Sequence, residues 1–132
     1  MLDRGANINA VKTHDGLTSL IRACENRRLE TARLLLDRGA DVNVAMVTDG
    51  MTPLLWASEK GLPELARHLL AKGAHVNTPS KCGFTPLMKA SQCGHLPVVQ
   101  LLLPWGANKK VSVGGHTAAS LAATPEIRFA LN

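Results

Sequence analysis

Apolar residues recur at helical spacing in three short stretches, Leu29–Leu36, Leu65–Leu70 and Val98–Leu103, with Glu30, Arg33, Arg67, His68 and Gln100 set between them. That spacing predicts three amphipathic helices with one face in a core. A shorter segment precedes each of them and divides its residues by angle. Leu20, Ala23 and Cys24 stand at i, i+3 and i+4 and form a small apolar face, while Arg22, Glu25 and Asn26 share a polar one. The equivalent polar-face sets are Trp56, Glu59 and Lys60, then Lys89, Gln92 and Cys93. The chain therefore reads as pairs of short helices, the first of each pair keeping one face free.

Local chemistry marks the ends of these helices. Thr18, Thr52, Thr85 and Thr117 stand where an N-cap hydroxyl accepts from an unpaired helix amide. Pro53 and Pro86 follow at the first helical position, where the missing N–H costs nothing. Gly61 and Gly94 are expected to stop the first helices, and Pro63 and Pro97 to open the second. Gly39, Gly73 and Gly106 end the second helices. Arg27 occupies the stop-glycine position of the first complete pair, at an expected cost of about 1 kcal/mol unless Asn26 adjusts. Pro104 is expected to close its helix early.

The pattern is periodic. Asp15-Gly16-Leu17-Thr18-Ser19-Leu20 returns as Asp49-Gly50-Met51-Thr52-Pro53-Leu54, as Cys82-Gly83-Phe84-Thr85-Pro86-Leu87, and in worn form as Gly114-Gly115-His116-Thr117-Ala118-Ala119. Gly16, Gly50, Gly83 and Gly115 are separated by 34, 33 and 32 residues. Gly-Ala followed by Asn, Asp or His begins at positions 5, 39, 73 and 106, with steps of 34, 34 and 33. Two independent markers keep one period, the signature of a solenoid.

These residues closely resemble the ankyrin repeat. Its pattern of Gly-x-Thr-Pro-Leu, Ala, Gly, Leu-Leu-x-x-Gly-Ala-Asp-x-Asn is matched nearly position for position by residues 50–77 and well by 16–43 and 83–108. The resemblance implies an all-α ankyrin-repeat solenoid of stacked helix–turn–helix units with β-hairpin-like loops, whose fingers and first helices line a concave face. The expected organisation is one domain over 1–132. It comprises the tail of a repeat (1–13), repeats at 14–47, 48–80 and 81–112, and a shortened repeat at 113–132 with a brief helix from Pro125. Leu2–Asn7 reads as the end of a second helix, so the chain is expected to open inside a unit. The chain departs from the family at Ile21, Leu55 and Met88, which replace its His after Thr-Pro-Leu, and at Lys109-Lys110, which replaces Val-Asn. Asn43, Asn77 and less clearly Asn9 occupy the site resembling the asparagine hydroxylated in many ankyrin repeats, whose ordinary role is a turn-stabilising hydrogen bond.

Composition adds constraints. The 132 residues are 45% hydrophobic and 19% charged, a balance that folds and dissolves, but only 3% are aromatic, so small and aliphatic side chains must do the packing. The formal charge is +5, yet the longest basic runs are the pairs Arg27-Arg28 and Lys109-Lys110, which argues against nucleic acid as the main ligand. Cys24, Cys82 and Cys93 are odd in number and form no CxxC, which fits a reducing compartment. No apolar run approaches the roughly 18 residues of a membrane span, and no signal-peptide pattern follows Met1. A cytoplasmic or nuclear monomer is the expectation.

The sequence offers little for catalysis. None of the five histidines lies at i+3 or i+4 from another His or Cys, and Cys93 and His95 alone make a poor zinc pair. Every glycine is explained by a turn, leaving no phosphate loop. No base and acid converge on Cys24. No enzyme activity, cofactor or metal is expected.

The expected function is binding of a partner protein or extended peptide. Leu17, Met51 and Phe84 form an apolar row beside the free helix faces, and Trp56 either packs between repeats or serves as a hot spot. Arg22, Lys60 and Lys89 flank that row and favour acidic groups, with Glu25, Asn26, Glu59 and Gln92 completing the face. Fingertip positions His14, Asp15, Thr48, Asp49, Lys81 and Cys82 vary between units and add specificity. Two other readings stay open: a basic surface recruiting nucleic acid or acidic lipid, and a structural spacer within a longer array.

Overall fold

The computed structural model describes residues 18–132. The expectations for 1–13, Leu17, His14, Asp15 and Asn9 lie outside the described residues. Seven α-helices follow in order: α1 (Ser19–Glu25), α2 (Leu29–Asp37), α3 (Pro53–Lys60), α4 (Pro63–Ala71), α5 (Pro86–Gln92), α6 (Leu96–Leu102) and α7 (Pro125–Leu131). They are stacked in two layers. The first helices pack α1 on α3 and α3 on α5, and the second helices pack α2 on α4, α4 on α6 and α6 on α7. Each first helix also packs on its own second helix, so the units built from α1–α2, α3–α4 and α5–α6 are helix pairs laid one against the next.

The caps fall where side-chain chemistry puts them. Thr18, Thr52 and Thr85 accept from the amides of Ile21, Leu55 and Met88 at 3.3, 3.2 and 3.2 Å. Thr124 caps α7 in the same way, through Ile127. Thr117 differs from expectation, because no helix follows it. Its amide is taken by the Ser120 hydroxyl at 2.9 Å while its own hydroxyl accepts from Ser120 N at 3.3 Å. That reciprocal pair includes the same i, i+3 cap bond made at Thr52 and Thr85, and one helical bond follows, from Leu121 N to Thr117 O at 3.0 Å, but the extended Thr124 before Pro125 leaves little chain in which a helix could grow. Pro104 acts as expected: α6 ends at Leu102 and passes into a single 3₁₀ turn, Leu103–Trp105.

The core lies between the layers. Leu20, Leu54, Leu87, Leu65, Leu69, Val98, Val99 and Leu102 are essentially sealed from solvent. Ile21, Leu55 and Met88, at the position where the family carries a polar His, are equally buried, so apolar packing replaces side-chain bonding there. Burial of each such side chain stabilises by about 2 kcal/mol. The last unit is tied on by Ser91, whose hydroxyl donates to the Ala118 carbonyl (2.5 Å) and whose carbonyl accepts from Ala123 N (3.0 Å).

On the outer layer, Asp37 joins α2 to α4 through His68 Nε2 at 3.0 Å and Lys72 Nζ at 3.5 Å. The hydrogen bond from His68 is the main reason that its carboxyl is held below the usual carboxylate range. The group is exposed, so solvent screens most of the attraction.

Arg27 is the one described residue other than glycine with positive φ, at 61°. Asn26 does not absorb the turn; it caps α1 with φ −93°. The arginine itself takes the left-handed conformation, where its Cβ crowds the backbone. Arg27→Gly is therefore expected to stabilise the protein by about 1 kcal/mol, read as a higher urea midpoint with unchanged slope.

Candidate functional site

The free face of the first-helix layer is a grid of three rows crossing three units. Arg22, Trp56 and Lys89 form one row, Glu25, Glu59 and Gln92 the second, and Asn26, Lys60 and Cys93 the third. Helical spacing places these positions together within each unit, and packing of α1 on α3 and α3 on α5 aligns them between units. Arg22, Glu25, Asn26, Gln92 and Cys93 are exposed, while Trp56, Glu59, Lys60 and Lys89 are half-buried. Phe84, beside the rows, is also half-buried.

Two aromatic rings on this face each carry an ammonium. Lys60 Nζ stands 5.6 Å from the Trp56 ring centre, and Lys89 Nζ stands 5.4 Å from that of Phe84. Both distances lie in the cation–π range. Lys89 is held a second time, by Glu59 Oε1 at 3.2 Å from the neighbouring unit. Its charge is thus compensated internally, which departs from the expectation that it is available to an acidic ligand. Trp56 joins the edge of the core, and its Nε1–H is buried without an acceptor.

Met51 corrects the expected apolar row. It is only 4% exposed, and its amide and carbonyl are engaged by the Asp49 carboxylate (2.9 Å) and Met46 N (3.0 Å). A side chain so little exposed presents no surface to a partner. Phe84 in the next unit stays half-open, so among the described residues the row keeps Phe84, with Trp56 on the adjoining helix face.

The fingers are short hairpin turns. Met46 and Gly50 bond within the first described finger and Ser80 and Phe84 within the second, while Val113 and His116 form an isolated antiparallel bridge in the last. Adjacent fingers are linked: Lys81 N donates to Asp49 O at 2.9 Å, and Lys81 Nζ donates to Val47 O. Thr48, Asp49, Lys81 and Cys82 are exposed at the tips, but Lys81 and Asp49 also serve as a finger-to-finger brace.

Sequence reasoning gave Asn43 and Asn77 a turn-stabilising role without showing its reach. Asn43 Nδ2 donates to Gly73 O (3.1 Å) and its Oδ1 accepts from His75 N (2.9 Å). Asn77 repeats the arrangement with Gly106 O (3.1 Å) and Asn108 N (2.8 Å). Each carboxamide therefore bridges to the following unit. His95 makes another bridge, its Nε2 donating to Glu59 O at 2.9 Å while the ring lies over Gly61. The signal for both was the repeat spacing itself, which sets a polar residue of one unit beside backbone of its neighbour.

The thiols differ in environment. Burial pushes the Cys24 thiol up to about 12, so it stays protonated and inert inside the core. Cys93, on the grid, is raised by partial burial and then by the Glu59 charge, against the opposing pull of Lys89 and Lys60. Among the described residues no group of three or more His, Cys, Asp and Glu side chains is placed to hold a metal ion, and no helix is long and apolar enough to cross a membrane.

Two layers of stacked helix pairs, with a ribbed polar face along one of them, define a helical-repeat solenoid, a class that works by presenting a surface. A family model described as ankyrin repeats (3 copies) matches residues 1–80 and 44–113, and the chain belongs to the ankyrin-repeat family. Ankyrin repeats are generally protein–protein interaction modules and are typically non-catalytic. No curated protein matches the chain.

Proposed function

We propose that the chain binds a partner protein, or an extended segment of one, on the concave face formed by the first helices and the fingers. The observation that carries this reading is the pair Trp56 and Phe84. They lie in consecutive units, neither is sealed into the core, and both sit on an otherwise polar surface. Aromatic side chains held by packing on one side supply contact area at low entropic cost, and such residues dominate interface energetics. Arg22, Glu25, Asn26, Glu59, Lys60, Lys89 and Gln92 supply the polar surround, and Thr48, Asp49, Lys81 and Cys82 the finger edge.

Partners captured by the intact protein and identified by mass spectrometry provide the test. Trp56→Ala and Phe84→Ala, each confirmed as folded by circular dichroism, are expected to weaken the captured partner at least about tenfold. Unchanged affinity in both variants would remove the concave face as the binding surface.

A further inference from the structure

We infer that the middle of the concave face receives a carboxylate side chain of the partner, seated on Lys60 beside Trp56. This inference rests on the concave-face reading and adds the chemistry of what binds there.

Charge pairing across the face singles out this point. Where the second and third units meet, Glu59 pairs with Lys89 at 3.2 Å, while Lys60 makes no ion pair among the described residues. Two ammonium groups and one carboxylate leave one positive charge uncompensated at a half-buried place. Arg22 and Glu25, in the unit before, are exposed and of opposite sign, so among the described residues the first helix of that unit adds no net charge to the face. The surplus is therefore local to Lys60.

The neighbouring polar groups point to the same ligand. Lys60 rests against the Trp56 ring, and the indole Nε1–H of that residue is buried without an acceptor. Ammonium and indole N–H are both donors, and only an acceptor can satisfy either one. The Nε1–H is sealed, so the ammonium is the group that a partner meets first. A carboxylate offers the ammonium a full opposite charge and a charge-assisted hydrogen bond, neither of which the ring supplies, so a carboxylate draws Lys60 off the ring without breaking the Glu59–Lys89 pair. Apolar side chains on either side of that acid then meet Trp56 and Phe84. An acidic residue within an extended apolar segment is the partner chemistry that fits.

The motion of Lys60 gives a direct optical signal from Trp56. Trp105, 48% exposed in the 3₁₀ turn that follows α6, is replaced in a Trp105→Phe background so that only Trp56 emits. Synthetic peptides repeating Glu-Leu-Pro-Ser, Gln-Leu-Pro-Ser or Lys-Leu-Pro-Ser are titrated in turn. The Glu peptide is expected to change the emission saturably and to bind about tenfold more tightly than the Gln peptide, with no saturable change from the Lys peptide. Lys60→Met is expected to reduce the Glu peptide to the Gln level, while Lys72→Met, on the outer layer, leaves it unchanged. Equal binding of Glu and Gln peptides, or full binding in Lys60→Met, overturns the inference while leaving the concave face standing as a binding surface. No response to any peptide also overturns it, and the Trp56 and Phe84 substitutions then decide the wider reading on their own.

Discussion

Gly61→Ala is expected to cost about 2–4 kcal/mol, a large share of the stability of a chain of this size. Two independent penalties meet at this residue. Its φ is +71°, where an L side chain costs about 1–2 kcal/mol. A Cβ there would also stand 2.4 Å from Nδ1 of His95 and 2.5 Å from Cε1, so the ring must move. Moving it breaks the bond from His95 Nε2 to the Glu59 carbonyl, worth about 1 kcal/mol. Gly39→Ala separates the two effects. Its φ is +94°, but nothing lies within 4 Å of the added Cβ, so only the backbone penalty should appear. Urea denaturation of both variants checks the difference. Combining Gly61→Ala with His95→Ala should cost less than the sum of the two, because the ring that clashes is gone. Equal losses at Gly61 and Gly39 would show that the His95 contact contributes nothing.

Leu69→Ala is expected to cost about 3 kcal/mol. Leu69 has no solvent exposure and lies on α4, which packs on α2, α3 and α6. Because units in a solenoid touch only their neighbours, a void in the middle unit weakens both joints at once. Leu131 provides the contrast. It is buried in α7, whose main packing partner is α6 alone, so Leu131→Ala should destabilise less and act only on the last unit. Calorimetry should show a broadened or divided transition for Leu69→Ala and a largely intact main transition for Leu131→Ala. A single sharp transition at the original temperature for Leu69→Ala would contradict the central place of α4 in the core.

The features legible in the sequence were those set by residues a few positions apart. Thr-Pro at a helix start and Gly-Ala at a helix end act within one turn of chain, and Thr52, Thr85, Gly61 and Gly106 behave as their local chemistry dictates. Arg27 shows the same rule under strain: the unit needs a left-handed residue there, so the arginine adopts it. Thr117 makes the same cap bond, through Ser120 N, yet only one turn forms there, because Thr124 is already extended ahead of Pro125.

The candidate site was legible as a face but not as an electrostatic surface. Helical angle alone put Trp56, Glu59 and Lys60 together. Whether a lysine is free depends on a residue about a whole repeat away, as with Lys89 and Glu59, and no local pattern records that pairing. Met51 and Phe84 share a repeat position yet differ in exposure, a difference that repeat position alone does not record.

The asparagine bridges carry a consequence for how such units combine. Asn43 and Asn77 contact only main-chain atoms of the turn that follows, a glycine carbonyl and the amide two residues later. The receiving turn presents His75 in one case and Asn108 in the other, and the bonds differ by no more than 0.1 Å. The coupling is thus blind to the side chains of the unit it grips. A unit ending in this asparagine can accept any successor that keeps the turn backbone, which leaves recognition surfaces free to diversify without renegotiating the joint. Lys110 stands at the corresponding place in the turn that follows and lacks the carboxamide, so among the described residues interchangeability of that kind holds for the junctions made by Asn43 and Asn77 and stops at Lys110.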